Sequence, residues 1–223
     1  MEEGETSNLF RSMEKLKVIE LFAGSRSIGK ACDELGYECF SVDINQFGSI
    51  DLVKDIEFLT PEDIPFIPDI IWASVPCTTY SLAAISHHRN MDRSPKTELA
   101  AKSDRLVKNT IKLLKYWNKA KFYIENPRAT LRKMPFMSWI PLETVWYCRY
   151  GDMRAKPTDI FSNNIRSLYN ESGWQPRPQC FNNNPHCKHE RAPRGSKTGT
   201  QGLKNDYERS KIPHELCLEI LQA

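Results

Sequence analysis

KVIELFAGSRSIG, residues 17–29, joins an apolar run to a glycine-bearing turn. The run Lys17–Phe22 predicts a strand, and the segment KACDELG that follows the turn predicts a helix. Backbone N–H groups at a helix N-terminus bind anionic and nucleotide-like ligands, so a strand, a turn and a helix in this order indicate a ligand site. Gly24 and Gly29 do not complete a GxGxxG pattern. A tight turn in any α/β protein is therefore the alternative interpretation.

The next predicted strand, Tyr37–Val42, ends in an acid, Asp43. An acidic residue about twenty positions beyond such a turn accepts hydrogen bonds from the hydroxyls of a ribose. The alternative is an acid that caps the following loop.

Two later strands each end in a chemically reactive side chain. The segment Ile70–Ser81 reads IIWASVPCTTYS and places Cys77 just after an apolar run, while Lys121–Ile124 runs into Glu125. In a parallel sheet both strands end at the edge that carries the glycine turn, so thiol, carboxylate and ligand meet in one crevice. Cys77 is therefore a candidate nucleophile. A packed thiol and an ordinary loop carboxylate are the alternatives.

Taken in order, these motifs resemble the DNA (cytosine-5) methyltransferase family, and in particular its short, phage-like members. The matching segments are Phe22-Ala23-Gly24, Pro76-Cys77, Glu125-Asn126-Pro127 and Tyr150–Lys156, which reads YGDMRAK. The resemblance implies an α/β fold of the Rossmann-like, S-adenosylmethionine-dependent methyltransferase type. In that fold a mostly parallel, doubly wound sheet carries a small target-recognition region, which is reduced here.

The resemblance also implies a reaction, in which Cys77 adds covalently to a flipped-out cytosine and its C5 accepts a methyl group from S-adenosylmethionine. Glu125 and Arg154 are the further catalytic candidates. The expected cofactor contacts are Phe22, Ala23, Gly24, Ser25, Asp43, Ile44, Asp55, Ile56 and Pro76. The expected contacts to double-stranded DNA are Thr79, Ser81, Arg128, Lys156, Arg194 and Lys197. Arg26 departs from the family, because a second closely spaced glycine is usual there.

Two other functions remain open at the level of sequence. One branch of the family is thought to act on transfer RNA, so an RNA cytosine-5 methyltransferase is the first. A non-catalytic nucleic-acid-binding regulator with the same fold is the second, although intact Cys77 and Glu125 argue against it.

The chain divides by composition into four parts. We predict a loosely ordered tail over 1–15, a catalytic domain over 16–162, a short basic recognition region over 163–206, and a C-terminal helix over 207–223 that returns to the catalytic domain. Polar residues between Thr78 and Pro95 predict a mobile loop without helical periodicity. The longest helix is predicted over Lys96–Asn118, with a core-facing stripe of Leu99, Leu106, Val107, Ile111, Leu114 and Trp117.

The recognition region is short and poor in apolar residues, so it needs either a partner protein or a local staple. Cys180, Cys187 and His189, with Cys148 as a fourth ligand, are candidate zinc ligands. Their spacing is not that of a standard zinc finger, and unliganded side chains are the favoured interpretation.

Composition sets outer limits on these interpretations. With 223 residues, 40% hydrophobic and 26% charged, the chain suits one globular domain with a small appendage. A net charge of +3 is too small to establish nucleic-acid binding by itself. The sequence contains no apolar run long enough for a membrane span and an acidic N-terminus unlike a signal peptide. Its seven cysteines lack disulfide-framework spacing, so we expect a cytoplasmic protein.

Overall fold

The computed structural model describes residues 15–181, 184–190 and 206–223. The predicted tail and the predicted nucleic-acid contacts Arg194 and Lys197 lie outside these residues, apart from Lys15. The strands are β1 (Lys17–Leu21), β2 (Glu38–Asp43), β3 (Leu52–Val53), β4 (Ile70–Ser74), β5 (Lys121–Pro127), β6 (Leu142–Trp146) and β7 (Pro157–Ser162). The α-helices are α1 (Ser27–Leu35), α2 (Ile85–His88), α3 (Glu98–Tyr116), α4 (Asp206–Ser210) and α5 (His214–Leu221).

Within the described residues the seven strands form one mixed sheet in the order β3-β2-β1-β4-β5-β7-β6. The pairs from β3 across to β5 are parallel. Strand β7 runs antiparallel to both of its neighbours, β5 and β6. The predicted mostly parallel α/β fold is therefore confirmed, with an antiparallel hairpin added at one edge.

The central strands are apolar on both faces because the sheet is covered on both sides, as parallel sheets are. In β4, Ile70 and Trp72 face one core with α1 and α5, and Ile71 and Ala73 face the other core with α3. Side chains alternate between the two faces of a strand, so successive residues of β4 lie in opposite cores.

Most predicted elements are confirmed within a few residues, and three details are wrong. The apolar residues of 143–149 predict a further strand, but the strand found there ends at Trp146, and a 3₁₀ turn, Tyr147–Tyr150, follows it. Leu99 was assigned to the buried stripe of α3, but it is half exposed. The segment after Cys77 contains helix α2 and a bridge between Arg89 and Pro95, so it has more regular structure than predicted.

The segment that follows β7 packs on the main body of the protein through an aromatic side chain. Trp174 is buried, its ring lies 6.3 Å from that of Tyr123 in β5, and its indole N–H donates to Glu219 of α5 at 3.1 Å. Among the described helices, none has both the length and the apolar character needed to cross a bilayer.

Candidate active site

The reactive residues meet at the carboxyl edge of the parallel strands. Ser74 at the end of β4 pairs in register with Glu125 in β5, and Cys77 lies just beyond β4. The side-chain amide of Asn126 donates to the carbonyl of Val75 at 3.0 Å, which ties the loop before Cys77 to β5. The pairing of β4 with β5 thus brings Cys77 and Glu125 to the same edge of the sheet, as the sequence predicts.

Glu125 is buried and has two polar neighbours from the segment between β6 and β7. The Tyr147 hydroxyl donates to its Oε1 at 2.9 Å, and Lys156 Nζ lies 3.8 Å from the same oxygen. Lys156 Nζ also lies 4.5 Å from the centre of the Tyr147 ring. A hydrogen-bond donor and a positive charge therefore hold this carboxylate in place.

Cys77 is solvent-exposed, and its thiol interacts electrostatically with both Glu125 and Lys156. Desolvation by the surrounding protein raises the pKa of the thiol, the negative charge of Glu125 raises it further, and the positive charge of Lys156 lowers it. Desolvation in turn lowers the pKa of Lys156, while Glu125 acts in the opposite direction. The positive charge of Lys156, and to a smaller extent that of Arg209, thus favours the thiolate form of Cys77.

Arg154 is buried and its guanidinium is engaged by the protein. It forms an ion pair with Asp152 and donates to the carbonyl oxygens of Arg209 at 3.1 Å and Lys211 at 3.2 Å. These contacts hold the segment around α4 against the site. They therefore favour a positioning role for Arg154 over the direct contact with base or phosphate predicted from the sequence.

The loop after Cys77 is anchored by a buried arginine. Arg89 donates to the carbonyl of Thr79 at 2.9 Å and pairs with Asp104 of α3 at 2.7 Å. Tyr80 donates its hydroxyl to the same Asp104 at 2.8 Å. Thr79 is fully buried, and its hydroxyl accepts from Arg89 at 3.3 Å, so this geometry does not favour the nucleic-acid contact predicted there. Ser81 is half-buried and Arg128 exposed, which leaves the predictions for those two open.

The predicted cofactor turn has the backbone geometry of a tight ligand loop. Phe22, Gly24 and Arg26 have positive φ angles of 57°, 46° and 51°. The backbone N–H of Gly24 donates to Asp43 at 3.0 Å, so the turn and the end of β2 are joined directly. The side chain of Arg26 lies against Gly29 and donates to Ser49 at 3.0 Å. Arg26 therefore covers the first turn of α1, where the family usually has glycine.

The remaining predicted cofactor contacts differ in how accessible they are. Ala23 and Ser25 are buried in the turn, Pro76 is half-buried, and Ile44 exposes about half of its surface beside Asp43. Asp55 forms an ion pair with Lys102 at 2.7 Å, and the Ile56 side chain is in the core. The geometry thus supports the predicted cofactor contacts at Asp43 and Ile44 better than those at Asp55 and the Ile56 side chain.

A buried acid caps the helix that follows the turn. Glu20 of β1 accepts hydrogen bonds from the backbone N–H groups of Ile28 at 3.0 Å and Gly29 at 2.9 Å. Desolvation raises its pKa to about 7, although these two backbone donors act to lower it. Sequence reasoning did not single out this residue.

The sequence analysis also missed the roles of four other residues of the site: Tyr147, Asn126 as a tether, and Arg89 with its partner Asp104. Tyr147 and Arg89 reach the site through long-range contacts, which no local pattern encodes. A signal existed only for Asn126, because it directly follows Glu125 at the end of a strand.

Comparisons with known proteins agree with the predicted resemblance. The chain is 30% identical, over 142 residues, to a probable DNA (cytosine-5)-methyltransferase of Frog virus 3 (isolate Goorha); the match covers 61% of this chain and 65% of the viral protein. The chain therefore spans less than two thirds of that relative's length. No protein-family model matches the chain.

Among solved structures, the fold is similar to that of the Entamoeba histolytica methyltransferase EhMeth. The two superpose with a TM-score of 0.52 at 16% sequence identity, over 74% of this chain and 58% of the amoebal protein. At that identity the likeness concerns the fold alone. The chain thus resembles the DNA (cytosine-5) methyltransferases in sequence and has the Rossmann-like fold of S-adenosylmethionine-dependent methyltransferases.

Proposed function

We propose that this protein transfers a methyl group from S-adenosylmethionine to C5 of a cytosine in DNA. The observation that carries the proposal is the register of β4 with β5, which brings the Cys77 loop and Glu125 to one edge, with Lys156 beside both. The viral relative, described as a probable DNA (cytosine-5)-methyltransferase, supports DNA as the substrate.

The chain's own residues fit the methyl donor. Phe22 and Gly24 form a tight turn with positive φ angles, Asp43 accepts a hydrogen bond from that turn, and the half-exposed Ile44 offers an apolar surface to a purine. When bound, S-adenosylmethionine supplies an electrophilic methyl group. Asp43 would bind the ribose hydroxyls, and Ile44 would contact the adenine.

Cysteine addition activates the target carbon. The Cys77 thiolate adds to C6 of cytosine, and the electron pair released into the ring makes C5 nucleophilic. Glu125 bonds to N3 and the exocyclic amine and stabilises the charge that develops there. After C5 has accepted the methyl group, its proton would pass to water, and Cys77 would leave as thiolate as the C5–C6 double bond forms again, which restores the aromatic ring.

The target base has to leave the double helix before this chemistry begins. A cytosine stacked inside a duplex is out of reach of a thiol at a sheet edge, so the nucleotide is extruded. The exposed Arg128, which follows Glu125 by three positions, would contact the neighbouring phosphates. Lys156 would act on Cys77 rather than on DNA, because its Nζ lies 3.8 Å from Glu125 and its positive charge lowers the pKa of the Cys77 thiol.

The test is transfer of a labelled methyl group to mixed-sequence duplex DNA and, in parallel, to transfer RNA. We expect label in DNA, recovered as 5-methylcytosine, to be lost in Cys77→Ala and kept in Cys39→Ser, a matched change at a half-buried cysteine in β2. Label found only in RNA would keep the chemistry but contradict the DNA assignment. Cofactor binding without label in either substrate would contradict catalysis altogether.

A trapping experiment tests the covalent step separately. DNA that contains 5-fluorocytosine blocks loss of the group at C5, so we expect an adduct of Cys77 that persists only when S-adenosylmethionine is present. Cys77→Ser should abolish the adduct. Tight DNA binding by the wild-type protein without any adduct would favour the non-catalytic regulator.

A further inference from the structure

Four side chains with metal-binding atoms converge beside the candidate active site. Cys148 lies in the turn that follows β6, and Cys180, Cys187 and His189 come from the segment after β7. The ligand atoms of all four lie within 4.8 Å of one another. Cys180 is buried and the other three are half-buried. Contacts between segments so far apart in the chain bring these groups together.

The separations suit a tetrahedral zinc site. Zn–S bonds of about 2.3 Å and Zn–N bonds of about 2.0 Å place neighbouring ligand atoms of a tetrahedron roughly 3.5–3.8 Å apart. Cys180 Sγ lies 3.7 Å from His189 Nδ1. Three sulfurs and one imidazole nitrogen complete the Cys₃His set, which leaves no open position and is typical of structural rather than catalytic zinc.

A second layer of contacts surrounds the sulfur of Cys180. The side-chain amide of Asn184 donates to Cys180 Sγ at 3.4 Å, and its backbone carbonyl accepts from Cys187 N–H at 3.3 Å. Donors of this kind orient metal-bound thiolates and balance their charge. Asn184 therefore supports two of the four ligands at once.

Disulfide formation does not account for this cluster. Three cysteines leave one thiol unpaired in any disulfide arrangement, and His189 has no part in such a bond. All of these cysteines are free in the structure. Packing of thiols as small apolar groups does not explain the cluster either. It would place the polar imidazole nitrogen of His189 among three thiols, which are weak hydrogen-bond partners.

We infer that Cys148, Cys180, Cys187 and His189 bind one structural Zn²⁺ ion. The ion fastens Cys180, Cys187 and His189 to the turn that holds Tyr147, the hydrogen-bond donor to Glu125. The same segment is also tied beside Arg154, because Glu190 N–H donates to the carbonyl of Met153 at 2.8 Å. The zinc staple therefore links the predicted recognition region to the loop between β6 and β7.

Metal analysis of the full chain, purified without chelators, tests the inference. We expect one zinc per chain, and X-ray absorption at the zinc edge should show three sulfurs at about 2.3 Å and one nitrogen at about 2.0 Å. Folded protein without stoichiometric zinc, a shell of oxygen and nitrogen alone, or a disulfide among the three cysteines would overturn it. These measurements do not depend on methyl transfer, so they stand apart from the proposed function.

Ligand variants give a second, graded test. His189→Ala should weaken zinc binding at least tenfold in competition with a chelator, and His189→Cys should restore it with a four-sulfur shell. Cys39→Ser, outside the cluster, should bind zinc like the wild type. Equal affinity in His189→Ala and wild type would contradict the site even if His189→Cys folds poorly.

Discussion

At the scale of single residues, the candidate site depends on how three charged or polar groups are placed around one thiol. Glu125 opposes ionisation of Cys77, Lys156 favours it, and Tyr147 holds Glu125 by a hydrogen bond. Substitution of Lys156 is expected to change the reactivity of the thiol, and substitution of Tyr147 the rate of methyl transfer, so separate measurements distinguish their roles.

Lys156→Gln should slow alkylation of Cys77. Loss of the positive charge raises the thiol pKa further, so a smaller fraction is thiolate at any given pH. We expect the pH profile of iodoacetamide labelling to move to higher pH and the rate at neutral pH to fall several-fold. Lys112→Gln, at an exposed lysine of α3, is the control. Unchanged labelling in Lys156→Gln would show that Lys156 does not act on the thiol.

Tyr147→Phe should reduce the rate of methyl transfer while cofactor binding stays the same. The change removes one hydrogen bond to buried Glu125, which is worth about 1–1.5 kcal/mol, or about tenfold in rate. Single-turnover kinetics measure it. The matched control is Tyr123→Phe, which removes another buried tyrosine hydroxyl, one bonded to Asn164 at 2.8 Å. Equal losses in both variants would mean a general effect on stability.

Glu20→Gln should flatten the dependence of stability on pH. A folded-state pKa raised from 4.5 to about 7 means that the folded protein holds this proton more tightly than the unfolded chain. The resulting stabilisation, about 3 kcal/mol at most, is complete below pH 4.5 and is lost as the pH rises through about 7. Urea unfolding between pH 4 and 9 measures it. Parallel curves for variant and wild type would refute the assignment to Glu20.

At the scale of elements, the antiparallel hairpin of β6 and β7 supplies the polar and charged side chains that surround Glu125, which the parallel strands do not carry. Its connecting segment carries Tyr147, Arg154 and Lys156, and β7 pairs directly with β5, which bears Glu125. The apolar runs predicted the strands, and parallel pairing predicted the meeting of Cys77 and Glu125. The insertion of β7 between β5 and β6 was not predictable, because strand order depends on long-range pairing rather than on local pattern.

Arg154→Lys should loosen the segment around α4. A lysine has a single side-chain nitrogen, which cannot occupy the separate positions from which the guanidinium nitrogens of Arg154 contact Asp152 and the carbonyls of Arg209 and Lys211. We expect faster hydrogen exchange in peptides covering 207–212, with α5 unchanged. Arg166→Lys, at an exposed arginine bonded to Gln175, should leave that segment as it is. The same exchange pattern in both variants would argue against an anchor at Arg154.

At the scale of the whole molecule, the segment after β7 is part of the main body. Trp174 lies in the core formed with α1 and α5, and Arg177 pairs with Glu219 of α5 at 2.9 Å. The composition of 163–206 predicted a region of different character, since glycine, proline and asparagine interrupt its apolar runs. A single buried tryptophan in such a stretch gives no periodic signal, which is why its packing was not foreseen.

Trp174→Ala should destabilise the whole protein in one cooperative transition. Truncating a buried tryptophan costs about 3–5 kcal/mol, and here it also leaves Glu219 without its indole donor. Chemical unfolding followed by circular dichroism measures the loss. Trp139→Ala, at a half-exposed tryptophan, should cost far less. A separate early transition in Trp174→Ala would indicate an independently folding region instead.

The late position of the β6–β7 hairpin has a consequence for how the protein is made. A ribosome releases β1 to β5 first, so Cys77 and Glu125 leave the exit tunnel before Tyr147 and Lys156 do. Until β7 arrives, the outer edge of β5 presents unpaired backbone groups that invite pairing with other chains. Newly made chains therefore need protection from aggregation at this edge, and the reactive pair gains its supporting groups only when the edge is closed.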